Sequence, residues 1–185
     1  MARCYSAAMR KRQTNAKQVP RRVLLSDARN DAGLERALAR LGPGDALVFR
    51  HYHLSGGERR QRFARLARLA RLRGVAVIGA RVPSGWRVDG SYGSAREVSE
   101  QGGIRLATVH SLQEIGAAVR ARADAILLSP VFPTRSHPGG KVLGPVRFLL
   151  LARQSPLPVI ALGGMTRSRA RRLPVHGWAA IDGLA

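Results

Sequence analysis

Apolar residues along this chain fall into short runs separated by amphipathic stretches. From Val23 onward the runs are VLLSD (23–27), ALVFRHY (46–52), VAVIGA (75–80), WRVDG (86–90), IRLATVH (104–110), AILLSPVF (125–132), PVIALGG (158–164) and WAAIDG (178–183). Short continuous apolar runs bounded by glycine, proline and serine read as strands buried on both faces. Helical periodicity marks the segments between them at 31–41, 57–73, 111–122, 144–154 and 167–173, with a weaker signal over Ser91 to Gln101. The Val82 to Gly85 connection is too short for a helix. Alternating strands and helices predict parallel strands joined by crossovers, and eight of them close naturally into an α/β fold of the compact (β/α)8 TIM-barrel type. At 185 residues the barrel has to be trimmed, because about 200 residues is the usual lower bound. The eighth run ends close to Ala185, so a normal eighth helix is expected to be lacking. The N-terminal arm or a partner chain, as in a homo-oligomer, is expected to cover the gap.

The 57–73 helix places Phe63, Leu66, Leu69 and Leu72 among Ala64, Ala67 and Ala70, a face that one side of a barrel can bury. Arg62, Arg65, Arg68 and Arg71 recur every third residue. That row drifts around the helix instead of forming a stripe, since three residues turn about 300°. It is read as a solvated face in preference to a nucleic-acid ridge.

Composition sharpens this picture only in places. Residues 1–20 are rich in basic residues and lack acidic ones, so they read as a mobile basic arm ahead of a single barrel domain at 21–185, and Met9 is a second candidate start. The hydrophobic fraction of 45% and charged fraction of 23% exclude a disordered chain. The net charge of +21 is spread along the sequence, with Lys11, Lys17 and Lys141 the only lysines among 32 basic residues. Such a field draws anionic substrates, whereas nucleic acid is not expected as the main partner. A single cysteine, Cys4, and the absence of any run near the roughly 20 apolar residues that span a bilayer point to a soluble, cytoplasmic protein without membrane contact.

Candidate chemistry gathers at the ends of the later strands. Ser129-Pro-Val-Phe-Pro-Thr-Arg-Ser-His-Pro-Gly-Gly-Lys141 leaves an apolar strand for a loop of hydroxyls, cations and glycines, which offers Thr134, Arg135 and Ser136 to phosphate oxygens. Ala161-Leu-Gly-Gly-Met-Thr166 ends the next strand in two glycines, Gly163 and Gly164, that permit close backbone approach, with Thr166 as a helix cap. A phosphate site between the loops after strands seven and eight is frequent in such barrels. Thr108-Val-His110-Ser111 closes the fifth strand and puts His110 at the mouth, as a proton-transfer group or a packed one. His51 and His53 lie two apart with no convincing third metal ligand; Asp27 is a distant candidate.

These residues resemble the thiamine phosphate synthase family, including its thiazole tautomerase branch. TVHS (108–111), ADAILLSPVFPTRSHPGG (123–140), LG (143–144) and LPVIALGGMT (157–166) are similar, in order and spacing, to the family's serine–histidine strand, GPVFPT-type loop and AIGGI strand. The resemblance implies a barrel that joins a pyrimidine methyl pyrophosphate to a thiazole phosphate and releases pyrophosphate with Mg2+. By matched position it implies that Thr108, Thr134 and Ser136 contact pyrophosphate or substrate and that Gly163 and Gly164 hold the thiazole phosphate. It makes Arg50 the counterpart of a family arginine and His110 the acid–base group of the tautomerase branch.

The first half departs from the family pattern. Gly79-Ala80-Arg81 keeps only the arginine of an asparagine–aspartate–arginine motif, and Asp89-Gly-Ser-Tyr-Gly-Ser94 replaces a motif with a histidine and a metal-binding aspartate. Tyr52 and His137 stand where lysines are usual, and Asp182 stands where a serine is common. Both magnesium carboxylates are thus absent from their matched positions, and Asp89 is expected to fill a structural position before glycine. The function expected is thiamine phosphate synthesis; the alternatives are thiazole tautomerisation and a non-catalytic barrel that binds phosphate or nucleic acid.

Overall fold

The computed structural model describes residues 18–134, 139–182 and 184. Its strands are β1 (Arg22–Leu25), β2 (Ala46–Phe49), β3 (Ala76–Gly79), β4 (Gly90–Gly93), β5 (Ile104–Val109), β6 (Ala125–Leu128), β7 (Val159–Ala161) and β8 (Gly177–Ala180). Each pairs in parallel with the next, and β8 returns to β1 to close the barrel. The helices are α1 (Leu34–Leu38), α2 (Gly56–Leu72), α3 (Ala95–Ser99), α4 (Leu112–Arg120), α5 (Gly144–Ala152) and α6 (Arg167–Ala170), with a 3-10 turn, Ala28–Gly33, leading into α1. The fold is the (β/α) barrel expected from the alternation of runs.

Why the runs are continuously apolar follows from two buried faces. Val23, Leu25, Val48, Ile78, Leu106, Leu127 and Ile160 point inward and fill the barrel. The residues between them point outward: Leu24, Leu47, Phe49 and Val77 pack under α1 and α2, and Val109, Ile126, Leu128 and Ala161 share a cluster with Ile115 of α4 and Phe148 of α5. Full burial of a side chain such as Phe49 or Phe148 stabilises the barrel by about 1.5–3 kcal/mol.

Aspartates tie the strands at the end of the barrel opposite the mouth. Asp89, just before β4, accepts the Val77 N–H at 2.7 Å, and Asp124, just before β6, accepts the Arg105 N–H at 2.8 Å. Asp45, just before β2, takes the Gly42 N–H at 2.9 Å and pairs with Arg22 at 2.6 Å. Asp89 is therefore structural, as its glycine neighbour suggested.

The fourth strand lies later than the run at 86–90. Trp86 and Val88 are loop residues that pack against the cluster beneath α2, with the Trp86 and Phe63 rings 4.4 Å apart. The strand itself, GSYG, is glycine-rich because a Cβ at Gly90 would stand 2.0 Å from the Ile104 carbonyl oxygen. On α2 the buried face is Phe63, Leu66, Ala67 and Ala70, whereas Ala64 is exposed and Leu72 is 76% exposed. Arg62 leaves the solvated row and turns inward to Asp31 and Glu35, at 2.6 and 2.5 Å.

No helix follows β8 among the described residues. The outer side of β8 borders a groove of about 720 Å3 floored by Trp178, Leu173 and Leu184 and rimmed by Arg21, Arg40, Arg167 and Arg171. Of the N-terminal arm, residues 1–17 lie outside the described residues, while Val19 packs against the inner cluster. Among the described residues no helix is long and apolar enough to cross a membrane.

Candidate active site

The inward parity of each strand continues past its last ladder residue, and that continuation builds the site. Counting by twos from inward Val48, Gly90, Leu106, Leu127, Ile160 and Ala179 reaches Arg50, Tyr92, Thr108, Ser129, Leu162 and Ile181. All six line one cavity of about 930 Å3 at the carboxyl ends of the strands, where barrels of this type carry their chemistry. Arg50, Thr108, His110, Thr134, Gly163 and Gly164, all singled out from sequence, meet in this cavity. Arg135 and Ser136 lie outside the described residues.

On one side the loops after β6 and β7 are zipped together. Val131 N–H donates to the Leu162 carbonyl at 2.9 Å and Phe132 N–H to that of Gly163 at 3.1 Å. Gly163 and Gly164 have φ of 97° and 59°, and a Cβ on either would collide with Pro130 Cα at 2.7 Å or the Pro133 carbonyl oxygen at 2.5 Å. The close approach that demands these glycines is thus to the neighbouring loop. Among the described residues no acceptor takes the N–H of Gly163 or Gly164. Gly163 and Gly164 thus present backbone donors at the cavity wall. Thr166 caps α6 by accepting the Arg169 N–H at 3.3 Å. Arg169 donates to the Gly164 carbonyl at 2.5 Å and its guanidinium lies 4.5 Å from the Phe132 ring centroid, so a cation is fixed beside the glycine pair.

The floor is hydroxyl and imidazole. Thr108 Oγ1 donates to the Gly93 carbonyl at 3.2 Å. His110 Nδ1 lies 2.8 Å from the Ser129 carbonyl oxygen, which can only accept, so Nδ1 carries the proton and Nε2 of the neutral ring is left with its lone pair. The His110 N–H is held by Glu114 at 2.7 Å, and Ser111 caps α4 by accepting the Glu114 N–H at 3.3 Å. Tyr92 lines the same floor, and burial pushes its phenol up to about 12, so it stays protonated.

The opposite side is cationic. Arg50 and Arg81 line the cavity beside Tyr52, whose ring is half exposed. Arg81 adopts φ of 49°, a conformation rare for residues other than glycine, and its carbonyl is held by Arg59 Nη1 at 3.1 Å. Its guanidinium pairs with Glu97 at 2.6 Å. The Ser94 N–H bond first, then the Arg81 and Ser94 side chains, hold the Glu97 carboxyl down at about 2. Arg50 stands 3.6 Å from Asp27. Asp27 is itself held below the usual carboxylate range, chiefly by its hydrogen bond from Arg29. Asp182 also reaches the cavity; the pKa of Arg29 is raised chiefly by its hydrogen bond to Asp27 and to a lesser degree by the charge of Asp182.

These groups do not fit a protein-held magnesium ion. Among the described residues no three His, Cys, Asp or Glu side chains cluster. The cavity carboxylates, Glu97 and Asp182, follow β4 and β8, which are opposite strands of the barrel. Glu97 spends one oxygen on Arg81 Nε and the other on the Ser94 N–H, at 2.6 and 2.7 Å. His51, the sequence candidate of a metal pair, is buried with both ring nitrogens bonded, to Ser26 and Asp31.

The thiamine monophosphate synthase family model, TMP-TENI, matches residues 23–184. The chain belongs to that family. Thiamine-phosphate synthase of Chlorobium luteolum is 38% identical over 89 residues, which is 48% of this chain and 42% of that protein. Thiamine-phosphate synthase of Geobacillus thermodenitrificans is 36% identical over 81 residues, 42% of this chain and 37% of that protein. The matched stretch thus spans less than half the length of these curated relatives. A solved structure, thiamine phosphate pyrophosphorylase from Pyrococcus furiosus, superposes with a TM-score of 0.70 at 22% identity, covering 89% of this chain and 87% of that one, and so shares the fold.

Tyr92, Ser129, Leu162, Glu97 and Arg169 were not among the sequence candidates. Parity along the strands would have found the first three, and the Ser94-x-x-Glu97 capping box the fourth. Nothing local marks Arg169.

Proposed function

We propose that this chain is a thiamine phosphate synthase-like, cytoplasmic transferase that couples a pyrimidine methyl pyrophosphate to a thiazole phosphate and releases pyrophosphate. The observation that carries this reading is one cavity with two cationic poles: Arg169 and the Gly163–Gly164 amides at one side, Arg50 and Arg81 at the other. Two substrates that each bear an anionic tail and meet through uncharged rings match such a cavity.

In this reading the thiazole phosphate lies against the glycine pair, Thr134 and Arg169, and the pyrophosphate lies against Arg50 and Arg81. The methylene C–O bond breaks with its electron pair leaving on pyrophosphate, and the thiazole nitrogen lone pair forms the new C–N bond. Charge develops on both fragments, so fixed dipoles and charges supply the stabilisation. The guanidiniums stabilise the leaving pyrophosphate. His110 Nε2 and Thr108 face the cationic pyrimidine fragment, with Nε2 as the acceptor that its Nδ1 bond to Ser129 preserves. Magnesium is a general feature of the family, and the described carboxylates here do not fit it.

The test is conversion of the two substrates to thiamine phosphate by the purified protein, with rescue of a synthase-deficient strain as the cellular counterpart. Failure of both overturns the reading. Isomerisation of thiazole phosphate alone, without consumption of the pyrimidine substrate, would assign the tautomerase reaction instead.

A further inference from the structure

Three guanidiniums converge on one aromatic ring at the β2–β3 rim. The Cζ atoms of Arg50, Arg59 and Arg81 lie 6.0, 5.6 and 5.9 Å from the Tyr52 ring centroid. Among the described residues, fixed negative charge does not match them. Glu97 answers Arg81, and Asp27 answers Arg50 only at 3.6 Å while bonding Arg29 at 2.8 Å. Among the described residues Arg59 has no carboxylate partner: it donates to the Ala80 and Arg81 carbonyls at 3.0 and 3.1 Å, lies 5.7 Å from the Phe49 and Trp86 ring centroids, and keeps its Nε buried without a partner. Like charges this close repel, and the repulsion is relieved when an anion of high charge settles among them. A dication placed there would add to the repulsion and would compete with Arg81 for Glu97.

We propose that this rim is a pyrophosphate-class site that works without a divalent cation, with Arg50 and Arg81 supplying the charge a metal would bring. Tyr52 spaces and orients the guanidiniums through its ring face, a contact that Arg makes readily. Glu97 restrains Arg81 while the site is empty of anion and releases it to the incoming phosphoryl oxygens. Planar, bidentate guanidiniums suit those oxygens better than a point charge does. The identity of the anion as a leaving group rests on the synthase reading; the presence of the site does not.

Isothermal titration of inorganic pyrophosphate into the full chain, first with EDTA and then with Mg2+, tests this. Binding in EDTA is expected with a Kd within about threefold of that in Mg2+, and Arg50→Gln and Arg81→Gln should each weaken it about tenfold, roughly 1.4 kcal/mol. Glu97→Gln should bind at least as tightly as the parent, since Arg81 is then released. Circular dichroism melts and inorganic phosphate binding at the glycine pair confirm that each variant is folded. Binding seen only with Mg2+, binding lost in Glu97→Gln, or no binding in either buffer overturns the proposal. Parallel assays of thiamine phosphate formation separate the two readings. Product in Mg2+ without pyrophosphate binding in EDTA sinks this inference alone, whereas binding in EDTA without product sinks the synthase reading alone.

Discussion

His51 Nε2 lies 2.8 Å from a carboxylate oxygen of Asp31, and the same buried ring holds Ser26 Oγ at 2.8 Å through Nδ1. Ser26 Oγ in turn accepts the Arg50 N–H at 2.8 Å. Every group is satisfied when the ring is neutral: Ser26 donates to Nδ1, and Nε2–H donates to Asp31. Burial lowers the His51 pKa from 6.5, and the attraction of Asp31 only partly opposes it. A depressed histidine pKa means that the unfolded chain binds the proton more readily. Stability is therefore full above 6.5 and is lost as pH falls through that value towards the folded pKa. Thermal melts between about pH 7.5 and pH 5 should show Tm falling with acid, and His51→Gln should flatten that slope. Parallel curves for parent and variant would show that His51 is not the titrating group.

Gly163→Ala should cost stability and the phosphate pole together. At φ of 97° an alanine is strained, and its Cβ meets Pro130 Cα, a backbone atom that cannot swing aside, at 2.7 Å. The expected loss is about 2–4 kcal/mol, strain and overpacking combined. Gly57→Ala, with nothing within 4 Å of the new Cβ and a place in the first turn of α2, should instead stabilise by up to about 1 kcal/mol. Denaturant melts of the two variants check both signs, and a neutral Gly163→Ala would contradict the packing of the two loops.

The cap of α3 couples to the site through Glu97. Its folded pKa of about 2 against an ordinary 4.5 contributes stability that is present above 4.5 and lost as pH falls towards 2. Ser94→Ala removes the acceptor of the Glu97 N–H and should cost about 1 kcal/mol. Acid titration of helical circular dichroism should show a midpoint shifted upward in that variant; an unchanged midpoint would mean that the Ser94 N–H and Arg81 hold the carboxylate without help from the hydroxyl.

Much of the barrel was legible because its strands are buried twice over. Inward Leu127 and outward Leu128 are both fully buried, so β6 reads as an unbroken apolar run. The Ser111 and Thr166 caps were legible for the same local reason, a short hydroxyl ahead of a helical pattern. β4 escaped because Gly90 and Gly93 replace strand formers where backbones and Glu97 crowd in, while Trp86 and Val88 mimic a strand from a loop. The cationic rim escaped for another reason. Arg50 follows β2, Arg59 lies on α2 and Arg81 follows β3, and only the packing of that β2–α2–β3 unit brings them to one ring. Likewise His51 looked like half of a metal pair because sequence spacing does not reveal that Ser26 and Asp31, from the β1 end, claim its two nitrogens.

The tautomer of His110 gives the sharpest functional expectation. A carbonyl oxygen cannot donate, so the Ser129 carbonyl fixes Nδ1 as the protonated nitrogen and directs the lone pair of Nε2 away from it. Ser129 Oγ, at 3.3 Å from the same Nδ1, is the weaker neighbour. His110→Ala should therefore reduce kcat by about 10²-fold, the usual cost of removing one group that stabilises developing charge. Thiazole phosphate binding should survive, because the glycine pair and Arg169 follow β7 and not β5. Ser129→Ala keeps the carbonyl and so keeps the tautomer, and its loss in kcat should be several times smaller. Steady-state kinetics with direct phosphate-ligand titration separates these outcomes. A Ser129→Ala variant as impaired as His110→Ala would place the hydroxyl, and not the carbonyl, in control of the imidazole.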